Sequence, residues 1–460
     1  MKKFIYISTV LAATALTSVS CKNEEKDLFE QSAAERTEAV ANDYRTALTA
    51  DGGKWVMDYF TNGNECGYTY VVTFNNDGSV TFTGNNKWIG GAVISEKSLW
   101  EIISDNGPVL SFNSYNSIFH VFSTPENFVD PEWPASHEDD INEQGYGHEG
   151  DYEFVLMSRD DNSIRLKGKK YGFTIMLHRL PADTNDAAYL AQIDEQKSKL
   201  FCDKFSSLVL TDATGEQFIM EAAVSETYNN NGRTSCCVYT IYPAKGDKIT
   251  QNVTANAIVT DKGLRFAKEV SIPRADVSAE PLKIQSFNYN SENGTLVSDD
   301  NSVVITAMSL SSLLTNTVYS WEVDTENLGG KFVEAYAAAA QGMHDRYKGK
   351  RDLSDICYSA NMYDGVMTND VIFYGGNARG TLYTDVKITD DNTVSIAFNG
   401  NTEGENANTF ISAVPALKTF LDMLCGENFK LSASSLINPK TIKVTCADNA
   451  NDYFYVTIVE

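Results

Sequence analysis

The sequence predicts a mainly β protein with a few helices, in which a helix is followed by a curled antiparallel meander, barrel-like or lipocalin-like, and the unit is repeated. Three observations predict it. Apolar and polar residues alternate over short runs, Asn, Asp and Gly turns separate the runs, and helix-forming segments precede them.

The first helix is expected within 30–49, where Ala34, Val40 and Leu48 are among the apolar positions and Asp51-Gly52-Gly53 ends the run. Alternation then gives strands at 54–60 and 68–74. Asn75-Asn76-Asp77-Gly78 accepts positive φ and turns the chain into a return strand from Ser79 to Thr83. Further strands are expected at 98–103, 108–113, 118–122, 152–157, 163–168 and 172–178, making about nine behind one helix. Such a meander curls or closes, because open strand edges invite pairing with other chains. Trp55, Trp100 and Trp321 lie in strand patterns and are read as core.

Pro181 to Asp186 breaks the pattern, so an N-terminal unit is expected over 34–181 and a β-rich C-terminal unit over 186–460. Within the second, helices are expected near 187–201, 331–346 and 411–424. A subdivision is expected near 285–330. Strands are expected around 205–210, 215–224, 235–242, 251–259, 264–270 and 282–288, and later at 381–388, 393–398, 428–432, 441–446 and 452–458.

The N-terminus carries an address. Lys2 and Lys3 precede an apolar stretch from Phe4 to about Leu16, then small residues and Cys21. The stretch is shorter than the roughly 20 apolar residues a spanning helix needs, so it reads as an export signal over 1–21. A cysteine at its end resembles a bacterial lipoprotein signal, with Cys21 as the lipidated residue and the outer-membrane lipid as its partner. Residues 22–33, beginning Lys22-Asn23-Glu24-Glu25-Lys26-Asp27, read as a flexible acidic tether facing the cell exterior.

The chain has 62 acidic and 37 basic side chains, a formal charge of −25, and no basic excess to displace counterions from nucleic acid. Beyond Cys21, seven cysteines remain, at 66, 202, 236, 237, 357, 425 and 446, in no zinc-binding spacing. No G-x-S-x-G, P-loop or dinucleotide fingerprint is present, and no catalytic residue is assigned.

Chemistry is expected in two places. Trp88, Trp133 and Tyr146 lie beside turns, where flat rings can serve as platforms for a sugar face or anchor an interface. The long irregular stretch 125–150 is acidic, with nine carboxylates from Glu126 to Asp151 and no lysine or arginine among them. Its His137, Asp139, Asp140, His148 and Glu149 are the candidate cation ligands. A lid pinned by its aromatics and a solvated loop rank ahead of a calcium site, and no cofactor is otherwise called for.

The segment Ala34-Glu35-Arg36, with Asp51-Gly52-Gly53-Lys54-Trp55-Val56-Met57-Asp58-Tyr59-Phe60, resembles the start of the domain of unknown function 4302 family. Leu110 to Asn116 with Phe119 to Phe122, Gly145 to Phe154, and Asp261 to Phe266 match later landmarks. The resemblance implies a Bacteroidota lipoprotein, often set among outer-membrane nutrient-uptake proteins, and it implies no catalytic residues. The expectation is a non-enzymatic cell-surface lipoprotein that captures a glycan, peptide or other nutrient for an uptake system. A structural or protein–protein interaction lipoprotein of the envelope and an extracellular hydrolase are the alternatives.

Overall fold

The computed structural model describes residues 32–459 except 62–66, 87–88, 125–148, 201–206, 223–237, 317 and 364–365. Helix α1 (Ala33–Thr49) starts at a capping box, in which Ser32 Oγ accepts from Glu35 N–H and the Glu35 carboxylate accepts from Ser32 N–H. A short 3-10 turn (Ala50–Gly52) leads to Gly53 at φ 65°. A Cβ on Gly53 would lie 2.1 Å from the Phe74 carbonyl oxygen, so glycine is what lets the chain enter the sheet here.

The first sheet has nine strands: β1 (Lys54–Tyr59), β2 (Tyr68–Phe74), β3 (Ser79–Gly84), β4 (Ile94–Leu99), β5 (Glu101–Ser104), β6 (Pro108–Ser111), β7 (Glu153–Arg159), β8 (Ser163–Gly168) and β9 (Thr174–Arg179). Their spatial order is β4-β3-β2-β1-β9-β8-β7-β6-β5. The two edge strands are therefore consecutive in the chain, and only Trp100 separates them. Its backbone N–H and indole N–H donate to the carbonyls of Gly78 and Asn75, which pins this step to the β2–β3 turn. The expected strand at 98–103 is thus two strands on opposite edges of a curled sheet.

The expected strand at 118–122 is instead a short helix, α2 (Ser117–His120). Its apolar run suits either state. Asn116 decides it, because its side-chain oxygen caps Ile118 N–H while its own N–H donates to His120 Nδ1. Inside the curl, Tyr59, Tyr70, Phe82, Phe112, Phe119, Phe122 and Phe154 pack ring against ring, Phe119 lying 5.0 Å from both Tyr59 and Phe82. Trp55 is fully buried in the same cluster.

Helix α3 (Asp186–Leu200) packs against β2 and β3 on one side and the next sheet on the other. That sheet is a closed meander of eight strands: β10 (Ser207–Asp212), β11 (Gln217–Ala222), β12 (Val238–Pro243), β13 (Val253–Val259), β14 (Gly263–Ile272), β15 (Leu282–Asn290), β16 (Thr295–Ser298) and β17 (Val303–Ala307). It closes through β10 and β17, with Leu210 opposite Ile305.

A second closed barrel follows. It comprises α4 (Leu310–Leu314), β18 (Ser320–Gly329), α5 (Lys331–Tyr347), β19 (Leu353–Tyr363), β20 (Val366–Gly375), β21 (Ala378–Asp390), β22 (Thr393–Glu403), α6 (Gly404–Ala413), α7 (Pro415–Leu424), β23 (Phe429–Ser432), β24 (Thr441–Thr445) and β25 (Tyr453–Ile458). The single helix expected at 411–424 is two, broken at Val414. Pro415 forces its predecessor out of the α region and starts α7 at its first turn. Strands β16, β17, β19 and β20 fall where the sequence reading assigns none, and β18 is marked there only by the strand pattern around Trp321. The first two are only four and five residues long, and Asn369 and Asp370 interrupt the alternation in β20.

Helices α5, α6 and α7 send Phe332, Phe410, Leu417 and Phe420 into one apolar cluster with Tyr358, Phe373 and Phe454 of the last barrel. The loop at 435–438 docks this barrel on its neighbour, Ile437 N–H donating to the Gly294 carbonyl and Ala307 N–H to that of Leu436. Among the described residues, no helix is long and apolar enough to cross a membrane.

Candidate functional site

Strand β1 sends alternate side chains to opposite faces. Trp55, Met57 and Tyr59 enter the aromatic interior, while Val56 joins the apolar cluster of the second sheet together with Val71. Asp58, also on the outer face, is buried at 2% exposure and receives the Arg265 guanidinium from β14, with Nε 2.6 Å from Oδ2. His178 on β9 completes this junction, its Nε2 3.8 Å from Asp58 Oδ2 and without a hydrogen-bond partner. Burial holds the His178 imidazole below its ordinary range. The Asp58 carboxylate opposes that shift and Arg265 reinforces it. Above the junction, Tyr189 of α3 donates to Asp261 at 3.3 Å, and burial pushes its phenol far up.

Beside this buried seam the two sheets diverge into a cleft of about 610 Å³. One wall is the outer face of β7, β8 and β9, with Ser158, Arg159, Asp160, Ser163, Arg165 and Met176. Ala267, Lys268 and Glu269 of β14 and Gln285 of β15 form the other. Both walls are built from strand irregularities. In β7 the register slips between Leu156 and Ser158, leaving Met157 as an extra, exposed residue. In β14 it slips between Arg265 and Val270, so residues 266–269 stand against Gln285 alone. Bulges bend a strand, release backbone from the ladder and re-aim side chains. The β7 bulge borders one wall at Ser158, and the β14 bulge supplies Ala267, Lys268 and Glu269 of the other.

Most charges in the cleft are already engaged. Arg159 holds Asp43 of α1 through Nε and Nη2 at 2.7 and 2.5 Å. Asp160 accepts from the N–H groups of Asn162 and Ser163 and from Ser163 Oγ, which keeps its carboxyl below the usual range. Glu269 lies 3.4 Å from Lys283. Arg165 and Lys268 make neither an ion pair nor a side-chain hydrogen bond among the described residues.

Most residues singled out from the sequence lie outside the described residues: Cys21, Trp88, Trp133, His137, Asp139, Asp140, Tyr146 and His148. Glu149 is described and stands at φ 54°, where the chain returns to the first sheet. Next to it, Gly150 N–H donates to the Phe122 carbonyl, and Tyr59 Oη donates to that of Asp151. The Asp151 carboxylate accepts from Lys170 and Tyr171 N–H groups; burial raises its pKa, and these bonds oppose the rise. No group of three metal-ligating side chains occurs among the described residues. Cys357, Cys425 and Cys446 are free thiols, and burial pushes Cys425 up to about 12.

The sequence reading missed the cleft residues. Their signals are the extra residue in each strand, which a local alternation pattern absorbs as noise, and the facing of two sheets far apart in the chain.

Residues 25–291 match the family model described as Domain of unknown function (DUF4302). The chain belongs to this family. The DUF4302 match takes in the first sheet and continues through β15, so both walls of the cleft lie within it, whereas the last barrel does not. No curated protein matches the chain. Among solved structures, kievitone hydratase from Nectria haematococca is similar at 8% identity and a TM-score of 0.14, over 90% of this chain and 91% of that one. The beta subunit from DNA polymerase of Streptococcus pyogenes is similar at 8% identity and a TM-score of 0.12, over 91% and 98%. At these scores neither likeness bears on fold or function.

Proposed function

We propose that this DUF4302 protein is a non-enzymatic, lipid-anchored surface protein of a Bacteroidota cell that captures a polar nutrient for outer-membrane uptake. Binding is assigned to the cleft between the first sheet and the second. The observation that carries this reading is a polar cleft of about 610 Å³ beside a packed seam, with a strand bulge bordering each wall. The volume falls within the roughly 300–1,000 Å³ of small-ligand sites. Side chains fill the interiors of the described sheets, which favours the groove between them over a barrel lumen. The leader ending in Cys21 supports the anchor, and the acidic tether supports outward display.

Two measurements test the reading. Cys21→Ala should abolish metabolic palmitate labelling, and persistent labelling of that variant would remove the anchor. A saccharide and peptide panel should give saturable binding to the full chain, and Met157 deletion, which restores the β7 register, should weaken it. Binding indifferent to that deletion would move the site elsewhere.

A further inference from the structure

We infer that the cleft takes a short acidic saccharide, with Arg165 on one wall and Lys268 on the other as the charges that recognise its anionic groups; this rests on the capture reading above. Five charged side chains line the cleft, and three are satisfied by the protein itself. Arg159 is held by Asp43, Asp160 by its own turn, and Glu269 by Lys283. The two that remain are both cations, one from each sheet.

Their placement follows from the bulges. Arg165 is the register partner of Ser158, the first residue after the slip in β7. Lys268 sits within the 266–269 bulge of β14, outside the ladder. A guanidinium presents a planar fork to carboxylate or sulfate, and an ammonium supplies a second, adaptable point charge. Ser158, Thr174 and Gln285, which also line the cleft, offer the hydroxyl and amide groups that suit a hydroxylated ring.

The overall charge sets the ligand's size. A chain of formal charge −25 repels the parts of a long polyanion that lie along its surface within the Debye length of about 8 Å in physiological salt. A ligand whose anionic groups all fall within the cleft, beside Arg165 and Lys268, meets the least of that repulsion. This favours a few acidic rings over an extended polymer and excludes nucleic acid.

The test is calorimetric titration of the full chain with maltotriose, trigalacturonate, a sulfated disaccharide and tri-aspartate. Trigalacturonate or the sulfated disaccharide should bind at least about tenfold more tightly than maltotriose, a difference of about 1.4 kcal/mol. The tighter of the two identifies the anion as carboxylate or sulfate. Arg165→Gln and Lys268→Gln should each weaken that binding about tenfold while leaving the circular dichroism spectrum unchanged. Equal affinity for maltotriose, unaffected by either variant, would overturn the acidic class and leave capture standing. Acidic binding indifferent to both variants would overturn the cleft assignment, and tri-aspartate binding as tightly as the saccharides would overturn the saccharide class. If none of the four binds, the inference falls; loss of binding on Met157 deletion, read with any ligand the wider panel yields, judges the capture reading separately.

Discussion

Asp58 of the first sheet and Arg265 of the second are 207 positions apart in the chain, and they form a buried, two-pronged ion pair across the seam between the sheets. Asp58 is almost fully buried and Arg265 is 18% exposed, so little water competes for either charge. Val56 and Val71 flank the pair with apolar contact to the second sheet.

Asp58→Ala therefore leaves a mostly buried guanidinium with no counter-charge. Urea denaturation should show a loss of about 3–5 kcal/mol, whereas Asp58→Leu with Arg265→Met should cost clearly less than either single change. If the double variant is as unstable as the sum of the singles, the pair is not coupled.

Two tryptophans repeat one device. Trp55 Nε1 donates to the Leu48 carbonyl at 2.9 Å, and Trp321 Nε1 to the Leu313 carbonyl at 3.0 Å. In both cases an indole at the second position of a unit's first strand caps the carbonyl end of the helix before it. Phenylalanine removes one donor from each carbonyl and should cost about 1 kcal/mol at Trp321, where Asn316 N–H still donates to the Leu313 carbonyl. Trp55→Phe should cost more, because Arg179 stacks 4.2 Å from the Trp55 ring while donating to the Ala47 and Ala50 carbonyls.

The last barrel contains a stabilising change that it does not use. Thr384 Oγ1 is buried without a hydrogen-bond partner, in a side chain 1% exposed. Thr384→Val keeps the shape and removes the orphan hydroxyl, so it should raise stability by about 1 kcal/mol. An unchanged or lower melting temperature would count against this.

Acid should loosen the seam before it reaches the carboxylates. His178 faces Asp58, Arg265, Asp160 and Asp261, and burial is the largest influence on it, lowering its pKa from 6.5. His120, whose Nε2 donates to the Phe112 carbonyl while its Nδ1 accepts from Asn116 N–H, is lowered for the same reason, its backbone hydrogen bonds opposing the shift. Below about pH 6.5 the unfolded chain binds protons that these native rings refuse, so stability falls as pH drops, until the native values are reached. Unfolding free energies at pH 7.5, 6.5 and 5.5 should decline below 6.5. His178→Gln should flatten that slope; an unaltered slope would assign the effect to other groups.

Much of the first sheet was legible because its signals are local. Alternation around Trp55 and Tyr70, the Asn75–Gly78 turn and the breaks at Gly53 and Pro181 all lie within a few residues of what they control. The errors came where one local signal supports two states. The run at 118–122 fits strand or helix until Asn116 is seen as a cap, and 411–424 fits one helix unless Pro415 is weighed. Of the candidate site, the sequence singled out turn aromatics and the acidic stretch, because composition makes them visible. The cleft residues carry no compositional mark, since Arg165 and Lys268 read as ordinary polar positions on alternating strands.

The sequence by itself determined most strands of the first sheet, the turns that make successive strands antiparallel neighbours, and the strong excess of negative charge. These depend on side-chain period, backbone preference and composition, all of which act locally or simply add up. Only the tertiary structure decided that β10 meets β17 and β18 meets β25, that Asp58 finds Arg265, and that two bulged strands line one cleft. Closure and facing depend on accumulated twist and on which buried surfaces fit, and no window of the chain contains both partners.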